Sequence, residues 1–213
     1  MEYRKLPRGE EKISVLGVGT SSIGMAEEKE IEAAISLALE NGINYFDMAS
    51  ADAKPFPAFG RALSGKREDV YFQIHFGADY EGGKYGWTTD LDTMKRSVDW
   101  QLAALKTDYI DFGFLHCIDE EADLRHVMND GILKYIQQLK KEGVVRHIGL
   151  SSHTPEVVHQ ALDAKILDML MFSINLVYDN GGEGEYAMGG IAERRELYQH
   201  CEAEGVAISV RRK

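Results

Sequence analysis

Apolar, strand-like segments alternate with longer amphipathic stretches along almost the whole chain, and this alternation limits the fold more than any other feature. Ile13 to Gly17 reads as a strand that ends in the glycine-spaced turn Gly17-Val18-Gly19-Thr20. Glu28 to Glu40 then carries Ile31, Ala34, Ile35, Leu37 and Ala38 at helical spacing, with Gly42 placed for a left-handed cap. Further strands are predicted at 43–46, 70–76, 109–115, 146–150, 166–174 and 206–210. Helices are predicted at 56–63, 90–105, 132–141, 156–164 and 192–204, the fourth of these announced by Thr154 as cap and Pro155 at its first position. A long polar and aromatic loop spans 77–87. Seven strands alternating with six helices argue for a parallel α/β protein.

Two α/β architectures compete for this pattern. A doubly wound sheet would announce itself with Gly-x-Gly-x-x-Gly after the first strand, and Gly17-Val18-Gly19-Thr20-Ser21-Ser22 lacks the third glycine. A barrel of the TIM (β/α)8 type explains more. Polar residues recur at successive strand ends, namely Thr20, Asp47, His75, His116, Ser151 with Ser152, and Asn175, and a barrel gathers such ends on one face. The 213 residues are expected to form one domain, 1–213, though a complete barrel takes about 250, so an incomplete barrel of about seven parallel strands is predicted. The segment from Glu2 to Ser14 looks like a hairpin plugging the opposite end, with Tyr3 and Leu6 facing the base of the core.

Charge and cysteine usage narrow the function classes. With 24 basic and 35 acidic residues the formal charge is -11, which disfavours nucleic acid or an anionic membrane as partner. Cys117 and Cys201 are far apart and spell no disulfide framework, which fits a reducing cytoplasm. No apolar run approaches the length of a membrane span, and Met1-Glu2-Tyr3-Arg4 is not the start of a signal peptide.

The strand ends also hold the candidate chemistry. Asp47 closes the strand Ile43 to Phe46, where a buried partner can keep its carboxylate ionised, or where it simply caps a loop. His116 follows the apolar Phe114-Leu115 and can polarise or protonate a substrate oxygen, or be a satisfied structural histidine. His75 and Gln73 point inward if the alternation Tyr71, Gln73, His75 is kept. Cys117 reads as core filler, and His153 as a loop or site residue. Asp47, His75, His116 and His153 would also pass for a metal site, as in a metal-dependent barrel hydrolase or lyase, but no metal signature occurs in their spacing. Tyr80, Tyr85 and Trp87 in the glycine-rich loop can cover a substrate or pack against the following helix.

Several segments resemble the aldo-keto reductases, most closely the bacterial branch whose long members carry a C-terminal iron–sulfur domain. These are Leu16-Gly17-Val18-Gly19-Thr20, Asn41 to Asp47, Asp108-Tyr109-Ile110-Asp111 running to Leu115-His116, and Gly149-Leu150-Ser151-Ser152, in family order. The resemblance implies a barrel that binds NADPH or NADH and transfers hydride to a small carbonyl substrate. The family's tetrad is tyrosine, lysine, aspartate and histidine. Asp47 matches the aspartate and His116 the histidine, whereas Asp52 stands where the tyrosine belongs and His75 where the lysine belongs. With both phenol and ammonium missing, impaired activity is expected, and His116 or His75 becomes the candidate proton donor, ahead of Tyr80 or Tyr85 from the loop. For the cofactor the resemblance implies Gly19 and Thr20 near the ribose, Asp47 as a further contact, Ser151 and Ser152 at the carboxamide, and Asn175 and Tyr178 near the ring, Tyr178 either stacking there or pinning its loop to Tyr186. No iron–sulfur motif and no closing strand follow Val210 and Arg211-Arg212-Lys213, so the open barrel edge is expected to be covered by a homo-oligomer. A binding or assembly module that has lost catalysis is the competing reading.

Overall fold

A computed structural model of the chain describes residues 1–181 and 188–210. Two short strands, β1 (Tyr3–Lys5) and β2 (Lys12–Ser14), pair antiparallel at the start. There follow β3 (Val18–Gly19), α1 (Thr20–Ile23), α2 (Glu28–Glu40), β4 (Tyr45–Asp47), α3 (Pro55–Ala62) and β5 (Tyr71–Phe76). A small antiparallel hairpin, β6 (Ala78–Asp79) with β7 (Gly86–Trp87), leads into α4 (Leu91–Leu105), β8 (Ile110–Leu115), α5 (Glu121–Asn129), α6 (Ile132–Glu142) and β9 (Val145–Ser151). The described chain continues through α7 (Pro155–Asp163), β10 (Met169–Phe172) and α8 (Ile191–Ala203) to β11 (Ala207–Val210).

Seven strands make one all-parallel sheet in the order β3-β4-β5-β8-β9-β10-β11, so their C-terminal ends share one edge. Parallel neighbours need crossover helices, which is why the sequence alternates as it does. The sheet curls into part of a barrel. Its curvature is visible in one contact: the Tyr45 hydroxyl of β4 lies 3.2 Å from Ser209 Oγ of β11. Those strands are five steps apart in the sheet, which would separate them by about 24 Å were it flat.

Strand periodicity sorts side chains onto two faces. Phe46, Phe72, Ile74, Leu150, Leu170 and Phe172 pack outward against the helices in the larger core. Tyr45, Phe112, Phe114, Met169 and Met171 point inward and pack with Leu6 and Ile13 of the first hairpin. Gly149 is required by this inner packing, since a Cβ there would lie 2.5 Å from the Phe114 ring.

The first hairpin closes the base of the curl. Ser14 N donates to Asn44 Oδ1 (2.8 Å) and Asn44 Nδ2 donates to the Lys12 carbonyl (2.9 Å), just before β4. Arg8 reaches the other side, donating to the carbonyls of Leu167 (2.9 Å) and Glu204 (2.6 Å). Glu11 Oε1 meets His147 Nε2 of β9 at 2.9 Å. Within β8, fully buried Asp111 accepts from Arg67 (2.8 Å), Arg146 (3.0 Å) and the Phe72 amide (2.9 Å), so its desolvated charge is fully engaged.

Four expectations are corrected. Ile13 belongs to the hairpin, and the first strand of the sheet is the two-residue Val18–Gly19 rather than 13–17. Tyr3 is 46% exposed and donates to the Gly42 carbonyl (2.8 Å); Leu6 and Ile13 fill the base instead. Leu37 is 61% exposed, off the buried stripe of Ile31, Ile35 and Ala38. Helix α5 has no counterpart in the sequence reading, because only Leu124 and Val127 of its nine residues are buried and its stripe is too thin to register.

Candidate active site

The inner face of the sheet turns polar at its C-terminal edge. Asp47 ends β4, Gln73 and His75 lie on β5, and His116 follows β8, all on the inward register. His75 Nε2 lies 2.7 Å from Asp47 Oδ1, and Gln73 Nε2 donates to the same oxygen at 3.2 Å. The Tyr45 hydroxyl donates to Gln73 Oε1, which fixes the amide's orientation. Burial, reinforced by the Asp47 charge, pushes the Tyr45 phenol well above its ordinary range, so it remains a donor.

From His75 the line continues to the next strand. Nδ1 of His75 and Nδ1 of His116 are 2.8 Å apart, with ring centroids at 4.6 Å and planes nearly perpendicular. His116 Nε2 then meets the Tyr85 hydroxyl at 3.0 Å. The segment that delivers Tyr85 departs the sheet at Gly77, whose φ of +94° only glycine adopts readily and whose Cβ would sit 2.7 Å from the Thr88 carbonyl. It is then zipped to the loop after β4: Ala53 N donates to Gly83 O (3.0 Å), Tyr85 N donates to Ala51 O (3.2 Å), and Asp52 and Lys84 form a bridge. Trp87 Nε1 donates to the His116 carbonyl at 2.9 Å. Tyr85 and Trp87 therefore cover the site. Tyr80 is buried instead, stacked on Trp100 and bonded to the backbone of Ser50.

A second polar group lies at the exits of β8 and β9. Asp119 accepts from Ser152 Oγ (3.0 Å) and His153 N (2.6 Å) on one oxygen and meets His153 Nδ1 (2.9 Å) on the other. Burial alone would raise the Asp119 carboxyl, but the His153 hydrogen bonds, His153's charge and Ser152 outweigh it and hold it below the ordinary carboxylate range. His153 is thus tied to Asp119. Among the described residues no group of three or more His, Cys, Asp or Glu is arranged to hold a metal ion. Ser151 is buried beside Ser152. Thr20 is buried and donates to the Asp47 carbonyl (3.0 Å), while Gly19 faces open space with no atom within 4 Å of an added Cβ. Asn175 Oδ1 accepts from the amides of Val177 and Tyr178, both at 3.0 Å, so it organises the turn that carries Tyr178. Tyr178 lies 5.9 Å from buried Arg194; the alternative contact with Tyr186 lies outside the described residues.

A cavity of about 830 Å³ lies elsewhere, between α7 and α8, lined by Glu156, His159, Glu193 and His200 among others. It opens on the helix layer, and the convergent chemistry is at the strand edge.

A profile of the Aldo/keto reductase family matches residues 15–211. The chain belongs to the aldo/keto reductase family. It is 31% identical over 180 residues to the uncharacterized oxidoreductase YqkF of Bacillus subtilis (strain 168), covering 83% of this chain and 57% of that protein. It is 28% identical over 180 residues to L-galactose dehydrogenase of Arabidopsis thaliana, covering 76% and 52%. The holo form of aldo-keto reductase AKR11C1 from Bacillus halodurans superposes with a TM-score of 0.80 at 26% identity, covering 99% of this chain and 65% of that one. The chain thus spans about half the length of the curated relatives it matches.

Within this aldo/keto reductase chain, Asp47, His75 and His116 come together as one hydrogen-bonded line. Tyr85 stands behind His116 and His75 among the donors expected from the sequence, and neither Asp119 nor the Tyr45–Gln73 pair is among the expected site residues. The one signal for Tyr85 is its place among glycines, Gly82-Gly83-Lys84-Tyr85-Gly86, in the loop that follows the strand carrying His75.

Proposed function

We propose that this chain is a nicotinamide-dependent reductase of small carbonyl compounds. The observation that carries the reading is the unbroken line from Asp47 through His75 to His116 at the rim of a sheet belonging to a reductase family. A forming alkoxide needs a positioned acid backed by groups that absorb the charge change, and this line is built for that. Its Asp47 carboxylate orients His75, and His75 in turn sets the tautomer of His116, which carries the line on toward the rim where the substrate oxygen would lie.

The donor set fits the nicotinamide end of NADPH or NADH. Ser151, Ser152 and the Nδ2 of Asn175 are uncharged hydroxyl and amide groups suited to a carboxamide, Asp119 holds Ser152 in place, and the space beside Gly19 and Thr20 admits a ribose. Tyr178 would lie against the ring. When bound, the reduced cofactor supplies the hydride; every proton comes from the chain. An assembly module without catalysis would have no use for a buried two-histidine line.

Three finer assignments go with this reading. Kinship with the iron–sulfur branch is supported by the Asn41 to Asp47 and Gly149 to Ser152 segments. A homo-oligomer is supported by β3 and β11, which among the described residues have one sheet neighbour each. Residence in a reducing cytoplasm is supported by two cysteines outside any disulfide; among the described residues no helix is long and apolar enough to cross a membrane.

Titration with NADPH, followed by fluorescence of Trp87 and Trp100, tests the binding, and loss of NADPH absorbance with an aromatic aldehyde tests the chemistry. Saturable quenching and turnover are expected, with Asp47→Asn and His116→Leu each lowering kcat by about 10²-fold or more while the cofactor still binds. The absence of a saturable signal up to millimolar NADPH would sink the reading.

A further inference from the structure

We infer that Tyr85 hands the proton to the substrate oxygen, and that Asp47, His75 and His116 are the reservoir behind it; this rests on the reductase reading above. Four groups stand in series, with gaps of 2.7, 2.8 and 3.0 Å from Asp47 to His75, His116 and Tyr85. Burial orders them. His75 and His116 are 1% and 5% exposed, whereas Tyr85 is 41% exposed, so the phenol is the member that a carbonyl compound at the rim can touch.

Proton counting gives the line two states. Two N–H groups cannot face each other, so the Nδ1 to Nδ1 contact holds one proton. In the loaded state His75 is an imidazolium paired with Asp47, its Nδ1–H donates to His116, and His116 Nε2–H donates to the Tyr85 oxygen. The Tyr85 O–H is then directed at the substrate. As the carbonyl carbon accepts hydride from the bound reduced nicotinamide, the π-electron pair of C=O moves to oxygen, which takes the Tyr85 proton. The Tyr85 O–H bond is re-formed from His116 Nε2, and His116 Nδ1 is re-protonated from His75. One proton has left, His75 is neutral, and Asp47 keeps its charge. In this discharged state the Tyr85 O–H donates back to His116 Nε2. Solvent reloads the line through the exposed phenol.

This arrangement answers the acidity problem. A phenol titrates near 10 and is a weak acid at neutral pH unless its anion is stabilised as it forms. An imidazole N–H on the phenol oxygen, with a positive charge one hydrogen bond behind it, provides that stabilisation without an ammonium at position 75. Position is secured as well. The Tyr85 amide is bonded to Ala51, and Trp87 is bonded to the carbonyl of His116 itself, so the segment that carries the phenol is fastened to the residue that carries the imidazole.

The test has one arm that needs no turnover. In protein labelled with ¹⁵N-histidine, Tyr85→Phe should shift the ring-nitrogen resonances of His116 and leave those of His159 and His200 in place; unmoved His116 signals would overturn the inference. In the second arm, Tyr85→Phe is assayed with NADPH and 4-nitrobenzaldehyde beside the parent. A kcat lower by about 10²-fold or more, with NADPH affinity and melting temperature retained, supports the role. A kcat within about threefold of the parent overturns it and leaves the reductase reading standing. A parent that neither binds NADPH nor reduces the aldehyde overturns that reading, and the substrate role of Tyr85 falls with it.

Discussion

Gln73 is the side chain on which the inner polar layer is hung. Its oxygen takes the Tyr45 hydroxyl and its nitrogen donates to Asp47, so one amide links the hydrophobic base of the curl to the reactive rim. Tyr45→Phe should leave that buried oxygen short of a donor and cost about 1–3 kcal/mol, read as a lower urea midpoint with unchanged slope. The amide would also be free to turn, so kcat should fall more than KM rises. The inward alternation of Tyr71, Gln73 and His75 was legible, because a period of two decides which face a residue takes. Which partner each would meet was not legible, since spacing fixes a face and not a distance. The same limit hid Tyr85. Asp52 and His75 read as a lost acid and a lost cation, and nothing local to position 52 says that residues 83–85 pair beside it.

Among the elements, the loops after β8 and β9 act as a pair through Asp119. The carboxylate ties Ser152 and His153 to the segment that follows His116, so the proposed cofactor and acid ends share one joint. Because the folded pKa of Asp119 is depressed, its contribution is fully present above the unfolded carboxyl value of about 3.9 and is lost as pH falls through the folded value. Melting temperature should therefore decline below about pH 4, and Asp119→Asn should flatten that limb while lowering the plateau at neutral pH. Helices with a broad apolar stripe, such as α2 and α4, were predictable to within a residue or two, because burial of that stripe is what forms them. Helix α5 and strand β3 bury little of their own and owe their shape to neighbours, which a local pattern does not record.

For the whole molecule, the first hairpin does more than fill the base. It is pinned before β4 by Asn44 and beside β10 and α8 by Arg8. It is a tie-beam between the two flanks of an arch. Strands are stiff and run from base to rim, so a change in the span below is levered into a change in the opening above. Arg8, remote from every reacting atom, thus becomes the place where the aperture is tuned. Arg8→Ala should weaken NADPH binding in a fluorescence titration while turnover at saturating cofactor stays near that of the parent. An unchanged affinity would mean that the arch keeps its width without its tie.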